Sequence, residues 1–208
     1  MEGEEDPCSL VRGAVTGTEA LPRGLYGMLD VPYDEPERDT LDRALFLTDR
    51  GVQAIQLRAK HLDLDGIAGL AERLVRTVPL LIVNDHVPLA AALGVWAHVG
   101  QEDGPDPGVP FGRSTHTTAQ VERPGAATYV GYGPVFGSTT KATGYAARGV
   151  DGLRAAVLAS RIPVVAIGGI TAENIDAVRA TGVHAWAPIS GFWSIRADRA
   201  ALDRLTRQ

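Results

Sequence analysis

Eight short apolar runs recur along the chain, and helix-type stretches separate most of them. The runs are rich in Val, Ile and Leu and nearly continuous, which is typical of strands covered on both faces. They predict strands at residues 25–30, 54–58, 80–85, 97–100, 112–114, 129–135, 164–168 and 185–190. Alternating strands and helices imply a parallel sheet.

Helices are predicted between the strands, and Thr171 with Asn174 predicts the cap of the fifth. Their ranges are 39–50, 63–78, 87–93, 151–160, 172–181 and 197–206. Eight units favour a closed (β/α)₈ TIM barrel, with a doubly wound open sheet as the competing fold. The fourth and fifth connections are so short that they have lost most of their helix.

Length and composition predict one domain and a small-molecule function. The 208 residues suffice for one full core but are short for two, so we expect an irregular extension over 1–22 and a barrel over 23–208. A net charge of −5 argues against nucleic acid as a partner. The single cysteine, Cys8, excludes an intramolecular disulfide framework.

We expect no membrane partner, because no apolar run approaches the roughly 20 residues needed to span a bilayer. Residues 1–6 are acidic where a signal peptide is basic. Together these features predict a cytoplasmic protein, and a homo-oligomer is compatible with the sequence.

Ligands of both candidate folds bind at the carboxyl ends of the strands, and polar side chains recur there. After the second strand, alternation places Gln56, Arg58 and Lys60 on one side, where they suit a phosphorylated ligand. The alternative is a solvated strand end whose charges form surface pairs.

Asn84, Asp85 and Asp103 follow the third and fourth strands and offer the hard oxygen ligands that Mg²⁺ prefers. For Asn84 and Asp85 the alternative is a cap on the helix that begins near Val87. Because Asp103 recurs on the next strand, the sequence favours a metal site.

The remaining strand ends predict further anion contacts. Ser114 and His116 follow the fifth strand, where a structural role for the histidine is favoured over a general base. After the sixth strand, hydroxyls and Lys141 follow a glycine-rich turn, and the stretch through Gly149 suits either a closing loop or simple flexibility. Backbone N–H groups near Gly169 and Ser190 suit a monophosphate. The sequence thus predicts two anion sites at one mouth.

In order along the chain, these strand ends resemble the thiamine phosphate synthase family. The matching segments are QLRAK (56–60), IVNDHVPLA (82–90), HVGQED (98–103), STHT (114–117), YVGYGPVFGSTTK (129–141), IPVVAIGGI (162–170) and PIS (188–190). The resemblance implies a (β/α)₈ barrel that transfers a pyrimidinylmethyl group from hydroxymethylpyrimidine diphosphate to thiazole phosphate, with Mg²⁺ as cofactor.

The resemblance also implies roles for individual residues. Arg58, Lys60 and Lys141 would be the catalytic cations, and Asp85 and Asp103 the Mg²⁺ ligands. Gln56 and Asn84 would lie at the pyrimidine diphosphate. The other substrate contacts would be Ser114 and Lys141 at pyrophosphate, Ser138 and Thr140 at the thiazole, and Gly169 and Ser190 at its phosphate.

Two alternative functions remain. A thiazole phosphate tautomerase of the same superfamily typically has a histidine where this chain has Pro134, which favours the synthase. A non-catalytic thiamine phosphate binder is motivated by the short connections and by Ala59, which stands where the family usually has glutamate. His86 and Ser138 also depart from the usual arginine and threonine, and Thr128 from the usual aspartate.

Overall fold

In the computed structural model, the strands form one closed parallel barrel in chain order. The structure describes residues 20–33, 36–104, 106–137 and 145–207. The first and last strands pair through Gly24 with Ala185 and Leu25 with Trp186. This pairing closes the sheet, so the open-sheet alternative is wrong and the barrel prediction is confirmed.

The eight strands fall where the apolar runs predicted them. They are β1 Gly24–Asp30, β2 Ala54–Arg58, β3 Leu80–Asn84, β4 Trp96–Val99, β5 Phe111–Thr115, β6 Tyr129–Tyr132, β7 Val164–Ile167 and β8 Ala185–Ala187. The predicted ends of β6 and β8 were too late, because Pro134 has no N–H for a ladder and the chain after Pro188 turns into a helix.

All six predicted helices are present, and two short ones accompany them. The helices are α1 Glu37–Thr48, α2 Leu64–Val75, α3 Val87–Leu93, α4 Thr118–Val121, α5 Gly149–Ala159, α6 Ile175–Arg179, α7 Ile189–Ser194 and α8 Arg199–Thr206. The described part of the β4–β5 connection contains no helix, and the β5–β6 connection keeps a single turn. Both shortened connections are therefore confirmed.

Helix α2 shows how the outer layer forms. Its buried residues are Ile67, Leu70, Ala71 and Leu74, the i, i+3, i+4, i+7 spacing of one helix face. The carboxylate of Asp63 accepts a hydrogen bond from the Gly66 N–H and caps the helix at its start. Burial of each large apolar side chain on this face contributes roughly 1.5–3 kcal/mol relative to exposure.

A cluster of buried side chains fills the barrel interior and is separate from the apolar layer between the strands and the helices. It includes Tyr26, Ile82, Trp96 and Tyr129. Leu21 belongs to this cluster and is buried, and its carbonyl oxygen is 2.7 Å from Nε2 of His184. The interior of the barrel is therefore filled by packed side chains.

None of the helices in the described part of the chain combines the length and apolar character needed to cross a bilayer.

Candidate active site

The polar strand ends converge on one open depression at the carboxyl end of the barrel. Parallel pairing sets Asp30 beside Arg58 and Asn84 beside His98. The described residues that line the depression are Arg58, Lys60, Asn84, Asp85, His98, Gly100, Gln101, Glu102, Asp103 and Ser114. Six of the residues predicted for the site therefore lie around one space.

The side chains of β2 alternate as predicted. Gln56 and Arg58 face the barrel interior or its mouth, whereas Leu57 and Ala59 are buried in the outer apolar layer. The Arg58 guanidinium pairs with the carboxylate of Asp30. Because Ala59 points away from the mouth, the absence of a glutamate there removes no group from the depression.

Lys60 and Asp85 form the second ion pair at the mouth, with 3.2 Å between Nζ and Oδ2. The capping alternative for Asp85 is wrong, because the N-cap of α3 is His86 and no side chain caps it. Asp85 has a φ of +65°, a left-handed conformation uncommon outside glycine. Such backbone conformations cluster at ligand sites, and this one turns the carboxylate toward the depression.

Asp103 lies in a tight loop that neighbouring groups brace. One of its carboxylate oxygens accepts a hydrogen bond from the Gly100 N–H. Arg113 donates to the carbonyl oxygens of Gly100 at 3.0 Å and Gly104 at 3.1 Å, and the Gln101 amide donates to the Ser114 carbonyl. The loop is thus held from β5, and within the described part of the chain only one oxygen of Asp103 is engaged in a hydrogen bond.

A chain of hydrogen-bonding side chains runs beneath the depression. Gln56 Nε2 donates to the Tyr26 hydroxyl at 3.1 Å, which lies 2.7 Å from the Tyr129 hydroxyl. The Tyr129 hydroxyl is 2.9 Å from His98 Nδ1, and His98 Nε2 is 3.0 Å from Ser114 Oγ. We call these five residues the core relay. It links the barrel interior to the mouth.

Burial keeps the core relay uncharged. It lowers the pKa of His98 to about 4, although the Asp85 carboxylate acts in the opposite direction. Burial likewise raises the pKa of Tyr26 and of Tyr129. At neutral pH the imidazole and both phenols are therefore neutral.

His116 has the structural role that its sequence context favoured. Its Nδ1 donates to the Gly133 carbonyl at 2.7 Å, and the ring of Tyr145 stacks on it with centroids 3.9 Å apart. A narrow cavity beside it reaches down to Gln56 and is walled by Gly131, Gly133 and Ile167, among others.

The loops after β7 and β8 lie side by side, as expected for one phosphate site. Gly169 has a φ of +63°, and a Cβ there would lie 2.7 Å from Phe136 Cβ, so only glycine fits. Asn174 donates to the Gly169 carbonyl at 2.9 Å. Its Oδ1 accepts from the Thr171 N–H and orders the turn before α6. The N-cap residue of α6 is Asn174, whose side chain makes no capping hydrogen bond, so the predicted cap lies three residues later than Thr171. A Cβ on Gly191, next to Ser190, would lie 2.5 Å from the Ile170 carbonyl.

Three predicted site residues, Ser138, Thr140 and Lys141, lie outside the described residues. No cluster of three or more His, Cys, Asp or Glu side chains within the described ranges could by itself hold a metal ion. The depression is lined by three acidic residues, Asp85, Glu102 and Asp103, and Asp85 and Asp103 are the two that the sequence predicted as metal ligands. That donor set fits Mg²⁺, which typically takes one or two carboxylates and completes its shell with water and substrate phosphates.

Sequence reasoning gave no site role to several residues, among them Tyr26, His98, Arg113 and Tyr129. His98 and Tyr129 lie within apolar runs and were interpreted only as strand residues. The available signal was their alternation with apolar neighbours, which places a polar group inside the barrel. Their partners lie on other strands, so sequence spacing does not indicate them.

Comparison with known proteins identifies relatives of this chain. The family model for thiamine monophosphate synthase matches residues 28–192. A thiamine-phosphate synthase from Caldivirga maquilingensis is 36% identical over 189 residues, covering 83% of this chain and 89% of that protein. One from Salinibacter ruber is 34% identical and covers 94% of this chain and 97% of the relative.

Solved structures give the same picture. Thiamine phosphate pyrophosphorylase from Pyrococcus furiosus superposes with a TM-score of 0.68 at 30% identity, covering 88% of this chain and 91% of the other. A mutant tryptophan synthase α-subunit from Pyrococcus furiosus reaches a TM-score of 0.65 at 16% identity, covering 90% of this chain and 97% of that one. The second likeness shows the fold alone.

Proposed function

This chain belongs to the thiamine monophosphate synthase family, and from that premise we propose its reaction. It transfers the pyrimidinylmethyl group of hydroxymethylpyrimidine diphosphate to thiazole phosphate and releases pyrophosphate. The observation that carries this proposal is the meeting of Arg58 and Lys60 with Asp85 and Asp103 around one depression. Cations and metal-binding carboxylates together are what a diphosphate leaving group requires.

The reaction needs charge neutralisation and alignment more than an acid–base pair. The bond between the pyrimidine methylene and the diphosphate oxygen breaks, and pyrophosphate takes the electron pair. The thiazole nitrogen then donates its lone pair to the methylene cation and forms the new C–N bond. Arg58 and Lys60 would bind the diphosphate, and Asn84 and Ser114 would orient it.

Asp85 and Asp103 would hold Mg²⁺, which supplies Lewis-acid neutralisation of the diphosphate when bound. Each carboxylate has one oxygen engaged in the structure, with Lys60 or with the Gly100 N–H. Both residues line the depression, so each carboxylate could use its other oxygen for the metal ion and keep the contact that positions it.

The second substrate would occupy the β7–β8 side of the mouth. Backbone groups at Gly169 and the hydroxyl of Ser190 would bind its phosphate, and Ser138 and Thr140 would contact the thiazole. Lys141 would contact the pyrophosphate of the first substrate. The narrow cavity above Gln56 would receive the pyrimidine ring. We keep a cytoplasmic location and a homo-oligomer as predictions.

The tautomerase alternative is not favoured, because the relatives named above are synthases or pyrophosphorylases. Product analysis tests the proposal in three arms: thiazole phosphate alone, pyrimidine diphosphate alone, and both with Mg²⁺. We expect thiamine phosphate and pyrophosphate in equal amounts in the third arm only. Metal-independent conversion of thiazole phosphate alone would support a tautomerase, and tight thiamine phosphate binding without turnover would support a binder.

A further inference from the structure

The hydrogen bonds of the core relay all point the same way, and Gln56, at the inner end, determines which way. Gln56 Nε2 donates to the Tyr26 hydroxyl oxygen, so the Tyr26 proton is free to go to the Tyr129 oxygen at 2.7 Å. The Tyr129 proton then goes to His98 Nδ1, and the imidazole proton sits on Nε2, facing Ser114 Oγ. In this arrangement the hydroxyl protons of Tyr26 and Tyr129 and the imidazole proton of His98 each have an acceptor.

With the Gln56 amide oriented as in the structure, the opposite direction of proton donation leaves the Tyr26 hydroxyl unsatisfied. Tyr129 would then donate to Tyr26, whose oxygen would accept two protons while its own buried proton had no acceptor in the core relay. An unpaired donor of this kind is strongly disfavoured in a barrel interior. The inner end therefore selects the direction that runs from Gln56 outward.

The outer end selects the same direction. Ser114 borders the depression, and a hydroxyl beside an anion must donate its proton to it. Ser114 can do so only if its oxygen accepts from His98 Nε2. This step rests on the proposed function, because it takes the ligand at the mouth to be a diphosphate.

The fold keeps space for the two central members. A Cβ on Gly112 would overlap the Tyr129 ring, so glycine at this β5 position lets the tyrosine lie across the barrel. A Cβ on Gly131 would lie 3.3 Å from His98 Cε1. Strands β5 and β6 therefore have glycine, with no side chain, where the Tyr129 and His98 rings pack.

We propose that Tyr129 is a positioning residue, which donates to His98 Nδ1 and so holds the imidazole proton on Nε2. Tyr26 and Gln56 fix the orientation of the Tyr129 hydroxyl. The Ser114 hydroxyl, which accepts from Nε2, then directs its own proton to the departing diphosphate. Tyr129 also lines the narrow cavity beside Gln56, but this role requires no contact with substrate. Tyr129 acts here through His98 and Ser114, and its contribution grows as negative charge develops on the leaving oxygen.

The tautomer of His98 tests the direction without any substrate. ¹⁵N NMR of the full chain, compared with a His98→Asn variant for assignment, should show the proton on Nε2 at neutral pH. Tyr129→Phe should give a mixture of both tautomers, because Nδ1 has lost its donor. Tyr132→Phe is the matched control, since Tyr132 is a buried tyrosine of the same strand that packs in the outer layer. A wild-type proton on Nδ1 would overturn the proposal.

Kinetics test the consequence. Tyr129→Phe should lower kcat roughly tenfold with little change in KM for the pyrimidine diphosphate, because the affected hydrogen bond strengthens in the transition state. Tyr132→Phe should stay within about twofold of the wild type. Equal kcat values for the two variants at similar Tm would refute the positioning role.

Failure of the proposed function would be a separate result. If the wild type released no pyrophosphate from authentic substrates, the function would fall, while the His98 tautomer would still be measurable. Calorimetry with inorganic pyrophosphate and Mg²⁺ then tests whether Ser114 donates its proton to an anion at the mouth. We expect weaker binding by Tyr129→Phe than by Tyr132→Phe, and equal affinities would contradict the proposal.

Discussion

The ammonium of Lys60 lies 3.2 Å from Oδ2 of Asp85 at the barrel mouth, and 58% and 40% of the two side chains are exposed. An ion pair this exposed contributes little to stability. Either partner can therefore turn to a ligand at small cost. The pair presents a cation for a diphosphate and a carboxylate for a metal ion on adjacent loops.

Lys60→Met should weaken binding of the pyrimidine diphosphate at least roughly tenfold while changing the free energy of unfolding by less than about 1 kcal/mol. Arg73→Met is a matched control, because Arg73 and Glu37 form a pair of nearly the same exposure, 57% and 40%, on α2 and α1. Calorimetry and urea unfolding measure both quantities. Equal substrate affinity in the two variants would argue against a binding role for Lys60.

Asp103→Asn should raise the Mg²⁺ concentration needed for half-maximal turnover at least roughly tenfold, since one charged ligand is lost. The asparagine oxygen can still accept from Gly100, so the loop should persist. Asp106→Asn is the control: Asp106 makes a similar turn in the same connection, with Oδ1 2.8 Å from the Gly108 N–H. If both variants kept the wild-type Mg²⁺ dependence, Asp103 would not be a ligand.

Gly112→Ala should destabilise the protein by about 1–3 kcal/mol or more, because the new methyl group overlaps the Tyr129 ring in a packed interior. It should also lower kcat through loss of the core relay. Gly69→Ala is the control, as nothing lies within 4 Å of a Cβ at that position in α2. The control should be neutral or stabilising by up to about 1 kcal/mol. Similar melting temperatures for both would show that Tyr129 does not need the space.

Acidification should destabilise the protein through His98. Burial lowers the pKa of this residue from 6.5 to about 4. Between pH 6.5 and pH 4 the unfolded chain therefore binds a proton at His98 that the folded protein does not bind. Stability is therefore fully present above pH 6.5 and falls as the pH drops toward 4, by about 2–3 kcal/mol by pH 4.5. Urea unfolding in EDTA at pH 7 and 4.5 should show a smaller loss for His98→Asn than for the wild type. Identical losses would refute the assignment.

Sequence periodicity was sufficient for the strands and helices because each element carries its own apolar pattern. It was not sufficient for closure, which depends on the pairing of Gly24 with Ala185 at opposite ends of the chain. The charged strand ends were predictable one at a time, since Arg58, Asp85 and Asp103 each follow an apolar run. The core relay was not, because Tyr26, His98 and Tyr129 meet only through the register of separate strands.

Pyrophosphate release tests the central claim most directly. The full chain is mixed with hydroxymethylpyrimidine diphosphate and thiazole phosphate, and pyrophosphate is followed over time with Mg²⁺, then with excess EDTA, then with Mg²⁺ restored. We expect release in step with thiamine phosphate formation, loss of release on chelation, and recovery when Mg²⁺ is restored. No release with both authentic substrates and Mg²⁺, or release that chelation leaves unchanged, would contradict it.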